Sequence, residues 1–134
     1  MAVIDASVYV ALMNVHEAAH ESCWGWFDLA ARLDEPIRAP VVLLAEVSAA
    51  LSRGVGNPAL AQRVVRQLLL TPTIELYPVT VGLAERAAGI AADCRIRGCD
   101  AVYVALAEQT GDVLVTLARQ QLERGGTVVV TRRP

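Results

Sequence analysis

The sequence predicts a single α/β domain, a three-layer α/β/α sandwich built on a five-stranded parallel sheet. Two observations carry this prediction. Short apolar runs alternate with longer stretches of helical periodicity, the pattern of successive β-α-β units covering both faces of a sheet. No repeat, low-complexity segment or linker interrupts that alternation, and 134 residues are enough for one sizeable core, so residues 1–134 form one domain.

Taken in order, the strands fall near residues 2–5, 37–39, 74–77, 113–116 and 127–130, and the helices near 7–14, 17–33, 41–53, 58–70, 81–96, 100–110 and 118–124. The second helix places Cys23, Trp26, Phe27, Ala30 and Leu33 on one face at 100° per residue, which marks them as its core stripe. Trp24 lies well off that stripe and is a candidate partner-facing anchor, or an aromatic folded back over its own domain. Pro36, Pro40, Pro58, Pro72 and Pro78 all sit in or beside the connections, where a missing amide costs little.

Composition excludes several function classes. Hydrophobic residues make up 54% of the chain, more than one small core needs, which points to self-association or a bound partner. The uncharged stretches, such as 6–15 and 39–45, fall well short of the ~20 residues of a membrane span, and the N-terminal segment has no basic-then-apolar signal. The expected location is therefore the cytoplasm. Cys23, Cys94 and Cys99 are odd in number and unpaired in spacing, which argues for reduced, mostly buried thiols over a disulfide framework or a zinc site. The net charge of −2 excludes a global basic field, so any nucleic-acid binding is local. All twelve cations are arginine, and the late group around Arg95, Arg97, Arg119, Arg124, Arg132 and Arg133 either grips phosphate or forms a solvated surface.

Three acids stand beside the most apolar segments: Asp5 after Ala2-Val3-Ile4, Glu46 within the run that begins at Val41, and Asp100 before Ala101-Val102-Tyr103-Val104. Burying a carboxylate without a partner costs several kcal/mol, and a chain without lysine has few ways to offset three. A divalent cation with a preference for hard oxygen ligands meets that need. In an open parallel sheet such a site lies beyond the carboxyl ends of the strands, where Asp5 ends the first strand and Thr116 the fourth. Asp5 and Asp100 each have a plainer reading as helix caps. Glu46 does not, because Val42, Leu43, Ala49 and Ala50 surround it on the helix. Convergence of the three should raise at least one carboxylate pKa.

His16 and His20 are four apart, a spacing that can bind metal, but the segment around them reads as a polar helix start. No Gly-rich phosphate loop, Gly-x-Ser-x-Gly elbow or Cys/His pair is present.

Val3-Ile4-Asp5-Ala6-Ser7, Leu44-Ala45-Glu46-Val47, the block from Arg97 through Asp100 to Glu108, and Leu114-Val115-Thr116, in that order, resemble a PIN domain, specifically a VapC-type toxin of a toxin-antitoxin pair. The resemblance spans essentially the whole chain. It implies a Mg²⁺- or Mn²⁺-dependent ribonuclease, a homodimer held inactive by a cognate antitoxin, with Asp5, Glu46 and Asp100 as catalytic metal ligands. Ser7 and Thr116 take supporting roles, and Arg97 and Arg119 are candidate substrate contacts. One departure stands out: the family follows the fourth strand with Thr-x-Asp, whereas this chain has Thr116-Leu117-Ala118, so the fourth acid is missing. Asp112 cannot replace it, since it precedes the strand, and Glu123 lies more than a helical turn beyond. A three-carboxylate site leaves open one metal, two or none, and with them either a weakened ribonuclease or a noncatalytic module that binds RNA or an antitoxin. A phosphorylated receiver on a similar sheet would need a lysine at a late strand end, and the chain has none.

Overall fold

The computed structural model describes residues 1–134. Five strands, β1 (Ala2–Ile4), β2 (Ile37–Pro40), β3 (Ile74–Tyr77), β4 (Val113–Val115) and β5 (Thr131–Arg132), form one sheet. Their order is β3-β2-β1-β4-β5, and every neighbouring pair is parallel. Six α-helices connect them: α1 (Ala6–Met13), α2 (His20–Arg32), α3 (Val42–Ala49), α4 (Pro58–Leu69), α5 (Val81–Cys94) and α6 (Gly98–Thr110). No helix is long and apolar enough to cross a membrane.

Local chemistry sets most of the boundaries. The Asn57 side chain accepts from the Leu60 amide at 3.0 Å with Pro58 in the first turn, and Thr80 caps α5 by accepting from the Leu83 amide at 3.1 Å. Gly111, at φ 72°, takes the left-handed conformation that ends α6. The central strands are buried on both faces, with Val3, Ile4, Leu114 and Val115 fully enclosed, as expected where helices cover a parallel sheet. Tyr103, Val104 and Leu106 of α6 are equally buried, so this helix is the one set deepest in the core.

The chain departs from its sequence pattern in five places. The last strand is Thr131–Arg132 instead of 127–130. A π-helical turn over Gln121–Gly125 stands where an α-helix at 118–124 was expected, and the chain then folds back through Gly126. A Cβ on Gly126 would lie 2.7 Å from the Leu122 carbonyl, so a residue with no side chain is needed there. The amides of Val128 and Val129 bond back to the Gly125 carbonyl, so the valine run is consumed by the turn and pairing with β4 starts only at Val130. Similarly, α3 ends at Ala49 and passes into a π-helical turn at Ala50–Gly54 before the expected end at 53. In α2, Cys23 and Ala30 are buried and Trp26 and Phe27 half-buried, but Leu33 is 58% exposed because the helix has ended at Arg32. Among the thiols only Cys23 is buried, and burial pushes it up to about 11; Cys94 is half-buried and Cys99 is exposed, since α6 starts at Gly98 and turns that residue outward.

At the amino end of the sheet, Arg38 Nη1 meets Asp112 Oδ2 at 2.7 Å, with the Asp112 side chain 3% exposed and Arg38 also near Glu75 at 3.5 Å. Asp112→Asn leaves the guanidinium with only its weaker, more exposed partner. Buried pairs lose about 3–5 kcal/mol when one charge is removed, and the Glu75 contact reduces this to roughly 2 kcal/mol. Urea unfolding at neutral pH should show that loss, and an unchanged midpoint would refute it.

Candidate active site

The site follows from strand register. Ile4 of β1 pairs with Val115 of β4, so the next residues, Asp5 and Thr116, emerge side by side at the carboxyl edge. There the strand order reverses, β2 lying on one side of β1 and β4 on the other, which opens the crevice where ligands bind in such sheets. Asp5 is 4% exposed and Thr116 is fully buried.

Asp5 is both the cap of α1 and a buried acid. Its Oδ1 accepts from the Ser7 amide at 3.0 Å, the Val8 amide at 3.4 Å and the Ser7 hydroxyl, while its Oδ2 accepts from the Thr116 hydroxyl. The two hydroxyls reach onward as acceptors. Ser7 Oγ takes the Leu117 amide at 3.0 Å and Thr116 Oγ1 takes the Ala118 amide at 3.0 Å, so the segment after β4 is tied to Asp5 through both. Burial raises the Asp5 pKa above the usual carboxylate value; hydrogen bonds from Ser7, Thr116 and Val8 oppose this, and the charge of Asp100 adds to it last. One carboxylate is thus shifted as expected, with desolvation as the main cause in place of mutual repulsion.

Glu46 and Asp100 approach from two helices. Glu46 sits mid-way along α3, half-buried, and its Oε2 accepts from the Tyr103 hydroxyl at 3.2 Å. Asp100 is the third residue of α6, two positions inside the helix that was expected to begin with it. It is therefore not a cap, and its Oδ2 takes Arg97 Nε at 3.0 Å. Burial first, then the charges of Glu46, Asp5 and Asp100, push the Tyr103 phenol up, so it stays protonated and donates. Only Glu46 touches that hydroxyl; Asp5 and Asp100 reach it through their charge alone, and each carboxylate has its own protein partner. No group of three or more His, Cys, Asp and Glu is arranged to enclose a metal ion.

The family model for the PIN domain matches residues 2–126. The chain belongs to the PIN domain family. Solved structures with the same fold include VapC20 of Mycobacterium tuberculosis, a toxin that cleaves the sarcin-ricin loop, with TM-score 0.78 and 20% identity over 100% of both chains. VapBC2 from Rickettsia felis, bound to a DNA fragment from its promoter, gives TM-score 0.74 and 15% identity over 99% of this chain and 98% of that one. FitAcB from Neisseria gonorrhoeae gives 0.72 and 18% over 100% and 98%. At these identities the likeness concerns the fold. No curated protein matches the chain in sequence.

Within this PIN domain the donor set suits a hard divalent cation: carboxylate and hydroxyl oxygens, one of the carboxylates buried and short of positive charge. Of the two arginines expected at the substrate, Arg97 is spent on Asp100, and Arg119 pairs with Glu123 at 2.8 Å on the surface, which also takes Glu123 out of contention as a fourth acid. Asp112, bound to Arg38, is likewise occupied elsewhere. Ala118 borders a cavity of about 300 Å³ that Ser7, Leu117 and Glu17 also line. Residues His16-Glu17-Ala18-Ala19-His20 spell the His-Glu-x-x-His spacing of zinc-binding helices. That chemistry needs one helix under both imidazoles, whereas His16 lies in a turn before α2 and His20 Nδ1 is engaged with the Ala11 carbonyl at 2.8 Å. Sequence reasoning missed Tyr103, whose neighbours mark it as core; only the residue's hydroxyl, one turn beyond Asp100, could have signalled a polar role.

Proposed function

We propose that this PIN domain is a VapC-like toxin, an endoribonuclease dependent on Mg²⁺ or Mn²⁺ and weakened by the alanine at position 118. The observation that carries this reading is the Asp5 carboxylate, buried at the reversal of strand order and raised above its usual pKa despite three surrounding donor residues. Such a group lacks a positive partner.

Asp5, Glu46 and Asp100 would hold the cation. When bound, a divalent ion lowers the pKa of water and offsets charge developing on the scissile phosphate. Ser7 and Thr116 orient Asp5 through its two oxygens. Arg97 frees Asp100 by leaving its exposed ion pair, and a phosphate backbone offers it and Arg119 an equivalent acceptor.

A cognate antitoxin and a second copy of the chain are the proposed partners, in the cytoplasm. Exposed apolar side chains, among them Trp24 at 50% and stacked on Phe27, are candidate contacts for such partners. A second reading, a noncatalytic module that binds RNA or an antitoxin, is favoured by the missing fourth acid and by the absence of a closed metal cage.

Incubation of the purified chain with RNA over Mg²⁺ and Mn²⁺ should give slow cleavage that a chelator stops, from a protein that light scattering finds larger than a monomer at micromolar concentration. Cleavage that survives chelation would refute the metal-dependent reading. RNA binding with no cleavage under either ion would support the noncatalytic module.

A further inference from the structure

We propose that Tyr103 is a positioning residue of this centre: its hydroxyl, donated to Glu46 Oε2, fixes the rotamer in which the Glu46 carboxylate meets a divalent cation. The inference rests on the reading of Glu46 as a metal ligand.

The geometry has three parts. Tyr103 lies three residues after Asp100 on α6, one turn along the same side, so the helix that carries one acid also carries the donor that holds another. Its side chain is fully buried, with its neighbours Ala101, Val104 and Ala107 packed into the core, so the ring cannot swing away. The bond runs from α6 to α3, across 57 residues of sequence, and therefore sets the distance between two elements and not merely a local turn.

A buried tyrosine hydroxyl often finds an acceptor for packing reasons alone. The core's other fully buried tyrosine differs in its surroundings. The Tyr9 hydroxyl on α1 is also buried and has no partner at hydrogen-bond geometry, although Thr71 lies near it. Glu46 is long and half-exposed, with several rotamers open to it, and a ligand with that freedom loses entropy on binding unless something holds it first.

Titrating Mn²⁺ into the metal-free chain, with bound and free ion followed by electron paramagnetic resonance and water-proton relaxation up to millimolar concentration, tests this without reference to cleavage. Tyr103→Phe keeps the ring and removes only the donor. It should weaken Mn²⁺ binding roughly 10- to 100-fold, the usual effect of losing a group that orients a ligand. Thermal unfolding of the metal-free variant should stay cooperative. Glu46→Gln should weaken binding at least as much, and the double variant should lose no more than Glu46→Gln alone, since Tyr103 acts only through that carboxylate. Parental affinity in Tyr103→Phe, beside a clear loss in Glu46→Gln, would overturn the role of Tyr103 and leave the metal centre standing. No Mn²⁺ binding by the parent, or unchanged binding in Glu46→Gln, would overturn the metal reading itself and the positioning role with it. Additive losses in the double variant would show that Tyr103 acts on the fold, which also overturns the proposal.

Discussion

Ala118→Asp should raise metal-dependent RNA cleavage by roughly 10²- to 10³-fold, the scale of one electrostatic group placed at a reacting phosphate. Position 118 is suited to receive it. The Ala118 amide is fixed on Thr116 Oγ1 at 3.0 Å, and Thr116 is bound to Asp5, so a side chain there starts from a backbone already registered on the site. Residue 118 also borders a cavity of about 300 Å³, so a carboxylate needs no repacking. Two-metal cleavage places the ions about 3.5–4 Å apart, and the second ion needs a carboxylate of its own. Ala118→Asp should therefore also tighten Mn²⁺ binding, and Glu46→Gln added to it should abolish the gain. Full activity in the unsubstituted chain, or no response to the aspartate, would refute this role for position 118.

Asp5→Asn should remove cation binding and cleavage yet make the metal-free protein more stable. The Asp5 pKa is raised in the folded state, chiefly by burial, with the negative charge of Asp100 contributing. The folded state therefore holds its proton in a range of pH where the unfolded chain, with a carboxylate near ~3.9, has lost it. By linkage, stability is fully present below the unfolded pKa and falls as pH rises through the folded one. At neutral pH the ionised Asp5 lowers stability. An asparagine keeps a capping oxygen for the Ser7 and Val8 amides without the charge, and should add about 0.5–2 kcal/mol at pH 7, the range usual when a functional compromise is relieved. The advantage should shrink as pH falls toward 4. A saturating cation should reverse the ranking, since only the parent gains from binding. Urea unfolding of both proteins across pH 4–8, with and without Mn²⁺, checks each arm, and a less stable Asp5→Asn at pH 7 without metal would refute the account.

Much of the candidate site's placement was legible because parallel sheets concentrate function at strand ends. Asp5 and Thr116 each close an apolar run, and the register of β1 on β4 makes them neighbours. Glu46 stood out as the acid on an apolar helical face; in the fold that face is only partly covered, with Leu43 buried and Val42, Ala49 and Ala50 half-buried. What stayed hidden depends on tertiary detail. Asp100 looked like a cap because the apolar run begins after it, while the helix starts two residues earlier, at Gly98. Three valines in a row looked like a strand, and the tight turn at Gly126 draws the first two, Val128 and Val129, into its own hydrogen bonding. Tyr103 is unremarkable in one dimension, because its polar atom matters only once α3 and α6 are packed together.

The pairing of β1 with β4 has a consequence for how the protein is made. Asp5 and Thr116 are 111 positions apart, so the crevice depends on one of the longest-range contacts this chain can form. Such closures come late in folding, because the chain entropy between the partners must be lost before the contact rewards it. During synthesis the first strand and all three acids are made while β4 is still untranslated. A nascent or truncated chain thus has no Thr116 to brace Asp5 and no complete crevice. For the ribonuclease proposed above, that topology would delay the assembly of the centre until nearly the whole chain is available, and a partner recruited during translation would meet it before it is complete.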